Sequence, residues 1–333
     1  MTRFPEEAIR SLNDRALTLL DAVFSQEENF PNALGRYTQG GPKGWGVAPR
    51  QILIGLMGLE KLRSASICEV PRFPRLQESL LADNNWVGGA GDLGLLAWFT
   101  AVCTPERLGN LFNQFDFQTV LERQVANLEI DTTGIALFLA GVSHARIAEK
   151  AGVPDLCDAA LMAYQLLQKN QGESGIFCQS SLCWKARSLI HSRFGRFNDQ
   201  MYSIYALCMF ARAYRLEEPL ALALGCGNAI CSTQGEHGEW WFRYDKRTSR
   251  VVKRYPLFPL QQEGTAPLAL GTLSESCKTD FRVAIMKGIA WSQEFARTSS
   301  NQTQSATLAG PRLDQLGWTL YASNVLGMQS AAS

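Results

Sequence analysis

Glu129 and Asp131 stand two residues apart in Leu-Glu-Ile-Asp-Thr-Thr-Gly, with hydroxyls following at once on Thr132 and Thr133. Two carboxyl groups that close, beside apolar Ile130, predict that one of them is kept protonated near neutrality, the state a general acid needs. Asp131 is the candidate acid and Glu129 the neighbour that tunes it. Asp199 (NDQMYSIYALCMFA) and Glu263 (QEGTAPLALGTL) are further catalytic candidates. Asp92 (GDLGLLAWF) and Asp314 (LDQLGWTLYASNVL) occupy the same kind of place, where an acid opens an apolar, small-residue-rich segment.

Any one of these acids is explained by helix capping, because a carboxylate at a helix start takes up free N–H groups and favours the macrodipole. That setting suits a base more than an acid, so an acid there needs burial among aromatics. Five such positions point instead to one shared mouth, provided the elements bring them together. The aromatic run Trp240, Trp241, Phe242 and Tyr244, followed by Arg254 and Tyr255, is a second candidate wall, with Trp45, Tyr202 and Trp318 at or near other helix starts. Its rings would steady a carbocation or form a sugar platform. Packing of a hairpin onto the core explains them equally well.

Helical periodicity supplies the positioning elements. Six segments, 47–63, 92–103, 131–147, 199–215, 263–275 and 314–329, are apolar nearly all round and read as inner helices. Six others, 5–25, 72–82, 105–127, 154–170, 217–233 and 280–297, are apolar on one face and read as outer helices. Their strict alternation predicts an all-α fold, an (α/α)6 toroid of six hairpins in one domain over residues 1–333. A β-hairpin is expected at 239–257. The long connections 26–46, 171–198, 234–262 and 298–313 all precede inner helices, so they and the five acids fall at one end of the ring.

The 333 residues carry 32 basic and 31 acidic side chains, a net charge of +1, with 46% hydrophobic residues. No basic stripe points to nucleic acid. No apolar run is long enough to span a bilayer, and the first twenty residues hold no signal-type apolar stretch, so a cytoplasmic protein is expected. Nine cysteines, an odd number in mostly apolar helical contexts, read as reduced thiols. The three histidines show no metal-ligand spacing, and Cys178, Cys183 and His191 make only a weak alternative, so no metal and no cofactor are expected.

Glu129-Ile-Asp131-Thr132-Thr133-Gly134 resembles the D-x-D-D-T-A signature of class II terpene cyclases, with Glu for the first acid and Thr132 for the third. Gln171-Gly-Glu-Ser-Gly-Ile-Phe177 and Gln234-Gly-Glu-His-Gly-Glu-Trp240 resemble the Q-W repeats of the same superfamily, which tie hairpins together. The blocks Phe197–Ala206 and Gln234–Leu268 resemble uncharacterised bacterial members of the terpenoid-cyclase and protein-prenyltransferase toroids. There the resemblance implies a His and an Asp where this chain has Gln261 and Glu263. It further implies a metal-independent cyclase, lyase or isomerase in type, whose acid Asp131 protonates an alkene-bearing isoprenoid substrate. The same ring is shared by glycoside hydrolases and polysaccharide lyases, whose paired carboxylates would be Asp131 with Asp199 or Glu263 acting on a saccharide. A non-catalytic binding scaffold is the third expectation. The oligomeric state is left open.

Overall fold

Apolar, small-residue segments without internal strand alternation fold as the helices that their periodicity predicts. The computed structural model describes residues 6–24, 49–65, 73–82, 84–150, 152–181, 186–256, 259–300 and 313–331. Among them are fourteen α-helices and one small antiparallel sheet. In chain order these are α1 (Glu6–Phe24), α2 (Pro49–Ser64), α3 (Pro74–Ala82), α4 (Ala90–Cys103), α5 (Leu108–Gln114), α6 (Phe117–Ala126), α7 (Thr132–Ala148) and α8 (Cys157–Asn170). There follow α9 (Ala186–Arg193), β1 (Phe194–Arg196), α10 (Phe197–Tyr214), α11 (Glu218–Ser232), β2 (Trp241–Asp245) and β3 (Val251–Pro256). The chain continues through α12 (Pro259–Cys277), α13 (Arg282–Ser300) and α14 (Leu313–Ala331).

The expected outer helix at 105–127 is instead a 3₁₀ turn (Pro105–Arg107), α5 and α6. The break falls at Phe115 and Asp116, which adopt extended backbone, and Asp116 accepts the Thr119 N–H to start α6. The expected hairpin is present as β2 and β3, and β1 adds a third strand in the order β1-β2-β3. Register pairs Arg196 with Arg243 and Gly195 with Tyr244 across β1 and β2.

The helices pack as two compact units. One comprises Met1–Val87, Phe258–Leu268 and Ile289–Ser333; the other comprises Gly88–Leu257 and Ala269–Gly288. In the first unit α14 lies against α1 and α2. Gly317 and Gly58 meet there, and a Cβ on either would overlap the backbone of the facing helix. In the second unit α4, α7 and α10 lie side by side, with α8 against α7 and α11 against α10. Gly94 and Gly141 let α4 and α7 touch through their main chains in the same way. The core of this unit is built from Trp98, Phe99, Phe138, Ile135, Leu139, Ile204 and Leu207, all removed from solvent. At about 25 cal/mol per Å2 of apolar surface, each such side chain contributes about 1.5–3 kcal/mol. No helix among the described residues is long and apolar enough to cross a membrane.

Candidate functional site

Asp131 is the N-cap of α7, and its Oδ1 accepts the Gly134 N–H at 2.9 Å. The segment is stapled from behind. Thr132 N–H donates to the Gln179 carbonyl, Thr132 Oγ1 donates to the Cys178 carbonyl, and Asn170 Nδ2 donates to Thr132 Oγ1. With its own backbone and hydroxyl so engaged, Thr132 fixes where the Asp131 side chain starts.

Asp199 sits in the first turn of α10, which packs beside α7, and accepts the Arg196 backbone N–H on Oδ2 at 2.7 Å. The Arg196 side chain then joins the two acids. Its Nη2 donates to Asp131 Oδ2 at 2.7 Å and to Asp199 Oδ1 at 2.9 Å, and its Nε donates to Asp199 Oδ2 at 3.1 Å. Thr133 Oγ1 adds a fourth donor to Asp199, at 2.7 Å. Arg196 Nη1 has no hydrogen-bond partner among the described residues.

The burial of the three groups is graded. The Asp199 side chain is 0% exposed, Arg196 is 31% and Asp131 is 40%. Burial pushes the Asp199 carboxyl above its usual range, against the pull of the Arg196 guanidinium, the Arg196 N–H and the Thr133 hydroxyl. Burial works against the Arg196 charge, but Asp199 and Asp131 together raise it well above the ordinary arginine value. The guanidinium therefore stays charged, with Asp131 and Asp199 on its Nη2 and Asp199 on its Nε.

Glu129 is exposed, two residues before this cluster, and its N–H closes the preceding turn on the Gln124 carbonyl. Asp92 is buried in the first turn of α4 and accepts the Gly88 N–H from the preceding loop at 3.0 Å. Tyr202 is 9% exposed in α10. Glu263, Asp314 and Trp318 belong to the other unit. There Glu263 is buried, ion-paired with Arg15 and hydrogen-bonded by Ser292, while Asp314 Oδ2 accepts from Gln315. Trp45 and Cys183, and the side chain of Gln261, lie outside the described residues.

The aromatic run divides. Trp240 and Tyr244 are fully buried, Trp240 against the Phe197 ring. Tyr244 accepts the Trp241 N–H on its hydroxyl, and burial pushes that hydroxyl well above its ordinary pKa. Trp241 fixes its indole through Nε1 to the Thr233 carbonyl at 2.9 Å. It lines an open cleft of about 650 Å3 together with Arg254, while Tyr255 is 67% exposed on β3.

The Gln-Gly loops hold the scaffold under both features. Gln171 Nε2 donates to the Gly175 and Leu222 carbonyls, and Gln234 Nε2 donates to the Gly238 and Ala284 carbonyls, each at 2.9 Å. Gly175 and Gly238 take φ of +88° and +103°, a region that favours glycine, and they lie too close to the backbones of α11 and α13 respectively for a side chain.

Arg196 was not among the residues that spacing had singled out. Its position three before Asp199 was the available signal, but the second partner, Asp131, is 65 residues away. Among the described residues no three His, Cys, Asp or Glu side chains gather as a metal site. No family model matches the chain, and no curated protein matches it.

Proposed function

We propose that the protein is a carbohydrate-active enzyme of the lyase type, in which Asp131 and Arg196 act on an acidic sugar and Asp199 positions Arg196. The observation that carries this reading is a guanidinium bonded on one side to a buried carboxylate and on the other to a half-exposed one. Arg196 Nη1, the one guanidinium nitrogen not donating to Asp131 or Asp199, would hold an oxygen of the substrate carboxylate in a charge-assisted hydrogen bond. Binding there draws charge from the adjacent carbon and acidifies its C–H bond. Asp131 takes that proton, the electron pair forms a C=C bond to the neighbouring carbon, and the glycosidic C–O bond on that carbon breaks. The leaving oxygen takes up a proton, returned from Asp131 through solvent, to depart as the alcohol. The fully buried Asp199 touches no substrate and is a positioning residue.

Thirty-fold or greater loss of turnover in Asp131→Asn, with an unchanged Tm, is the expected result on oligouronates, followed by the absorbance of the unsaturated product. Full activity in that variant removes the proposal. Arg196→Lys is expected to raise KM, because a point charge replaces a planar fork.

The alkene-protonating reading is supported by a different observation. The Gln171 and Gln234 clamps behave as the resembled Q-W repeats would, tying each loop to the next outer helix. The contact of α14 with α1 and α2 supports closure of the array as an (α/α)6 toroid. In that reading Asp131 is the acid, and turnover of an isoprenoid substrate lost in Asp131→Asn would separate it from the first.

A further inference from the structure

The two Gln-Gly loops are copies 63 residues apart, and they differ in what lies over them. In both, the second residue's N–H donates to the carbonyl of the sixth, Gly172 to Ile176 and Gly235 to Glu239. In both, the fifth residue's N–H returns to the second residue's carbonyl. Over the first loop lies the turn after β2: Ser174 Oγ donates to the Lys246 carbonyl at 2.6 Å, and Gly172 abuts the same residue. The first loop is thus satisfied by a protein acceptor.

At the position of Ser174 the second loop has His237; the Glu239 side chain covers Gly235 where Lys246 covers Gly172, and the 650 Å3 cleft opens beside them. The His237 ring is exposed and has no hydrogen-bond partner among the described residues. Facing it from the hairpin are Arg250 and Arg254, both exposed, whose guanidinium groups have no partner among the described residues either. On the loop side, Glu239 accepts the His237 backbone N–H at 2.9 Å, and Glu236 is exposed. The cleft's frame is set before any ligand arrives. Gln234 clamps the loop, Trp241 is fixed to Thr233, and Tyr244 holds the Trp241 N–H. Its volume lies within the ~300–1,000 Å3 typical of small-molecule sites.

We propose that this cleft binds a hydroxylated oxyanion, a sugar phosphate or a sugar acid, on the cationic side chains that line it opposite the Glu239 carboxylate. Arg250, Arg254 and His237 supply the donors for the anion. Glu236 and Glu239 accept from hydroxyls, which distinguishes the ligand from a bare polyanion. The site stands independently of whether Asp131 is catalytic.

The test is calorimetric titration of the full chain with glucose 6-phosphate, with glucuronate and with glucose. Saturable binding of either anion with Kd below about 1 mM, and none of glucose, is the expected result. Preference for one anion identifies the phosphate or the carboxylate source. The double variant Arg250→Gln with Arg254→Gln should weaken binding at least tenfold. Arg247→Gln, an exposed arginine on the hairpin turn outside the cleft, should leave it unchanged. No binding of either anion overturns the proposal, as does binding undiminished in the double variant or equally diminished in Arg247→Gln. A far-ultraviolet spectrum of each variant guards against loss of fold.

Discussion

Gln234 makes the same pair of hydrogen bonds as Gln171, from Nε2 to the carbonyl four residues on and to a helix carbonyl, in α13 and α11 respectively. The likeness extends to the positive φ of Gly175 and Gly238 and to the helix backbone that each glycine abuts. The repeat is therefore structural as well as textual. Gln171→Ala and Gln234→Ala should each cost about 1–3 kcal/mol, because two carbonyls lose their donor in a part-buried place. Urea unfolding monitored by circular dichroism would check this. Losses below about 0.5 kcal/mol would show that water replaces the clamp.

The Arg196 cluster predicts an order of stabilities. Arg196→Met leaves Asp199 buried without its ion partner and should cost about 3 kcal/mol or more. Asp131→Asn keeps an N-cap acceptor at a half-exposed position and should cost no more than about 1 kcal/mol. Denaturant midpoints of the two variants, compared with the parent, decide it. A reversed order would mean that Asp131, not Asp199, anchors the guanidinium.

Asp199 and Asp116 should give opposite pH signatures. Burial raises the Asp199 carboxyl in the folded state, so the native chain holds this proton more tightly than the unfolded chain. Its contribution is full below the unfolded value near 3.8 and falls as pH rises through the raised one. The Thr119 N–H and hydroxyl lower Asp116, so its contribution is present above the unfolded value and lost as pH falls through the lowered one. Stability of Asp199→Asn and Asp116→Asn measured from pH 3 to 7 should deviate from the parent in these two directions. Parallel curves for all three proteins would contradict both assignments.

Glycine positions separate cleanly by what surrounds them. Gly94→Ala and Gly141→Ala drive a methyl into the partner helix backbone and should cost about 1–3 kcal/mol or more. Gly225 in α11 has nothing within 4 Å of an added Cβ, so Gly225→Ala should stabilise by about 0.5–1 kcal/mol through helix propensity. Thermal melts of the three variants are sufficient. A destabilised Gly225→Ala would indicate that α11 is more closely packed than its described neighbours show.

The helices were legible because their signal is local. Inner segments such as LGLLAWF carry no polar face, and the observed bounds of α7 and α10 fall within two residues of those read from periodicity. The outer segment at 105–127 was read as unbroken because its apolar stripe continues across Phe115. The capping pattern from Asp116 to Thr119 was the sign of a new helix start. Three-residue β1 is too short to show alternation, and it exists because β2 offers it a partner edge.

For the candidate cluster, spacing points to Asp131 and Asp199 but gives Asp131 a neighbouring carboxylate as its main influence. In the fold its partner is Arg196, a cation at the end of β1, which no local pattern announces. At the 63-residue offset of the two clamps, Glu263 corresponds to Gln200 rather than Asp199. Gln200 is a buried structural residue that receives the Phe177 N–H and donates to the Phe177 carbonyl. The resemblance between Asp199 and Glu263 as helix-opening acids is thus one of composition.

The glycine seam between α4 and α7 has an evolutionary corollary. Two main chains in van der Waals contact set a fixed ruler, and diversification of any ligand chemistry cannot proceed by spreading those helices. New specificity in this scaffold must arise by editing loop length and loop residues, where a single insertion alters the rim and leaves the spacing of the helices untouched.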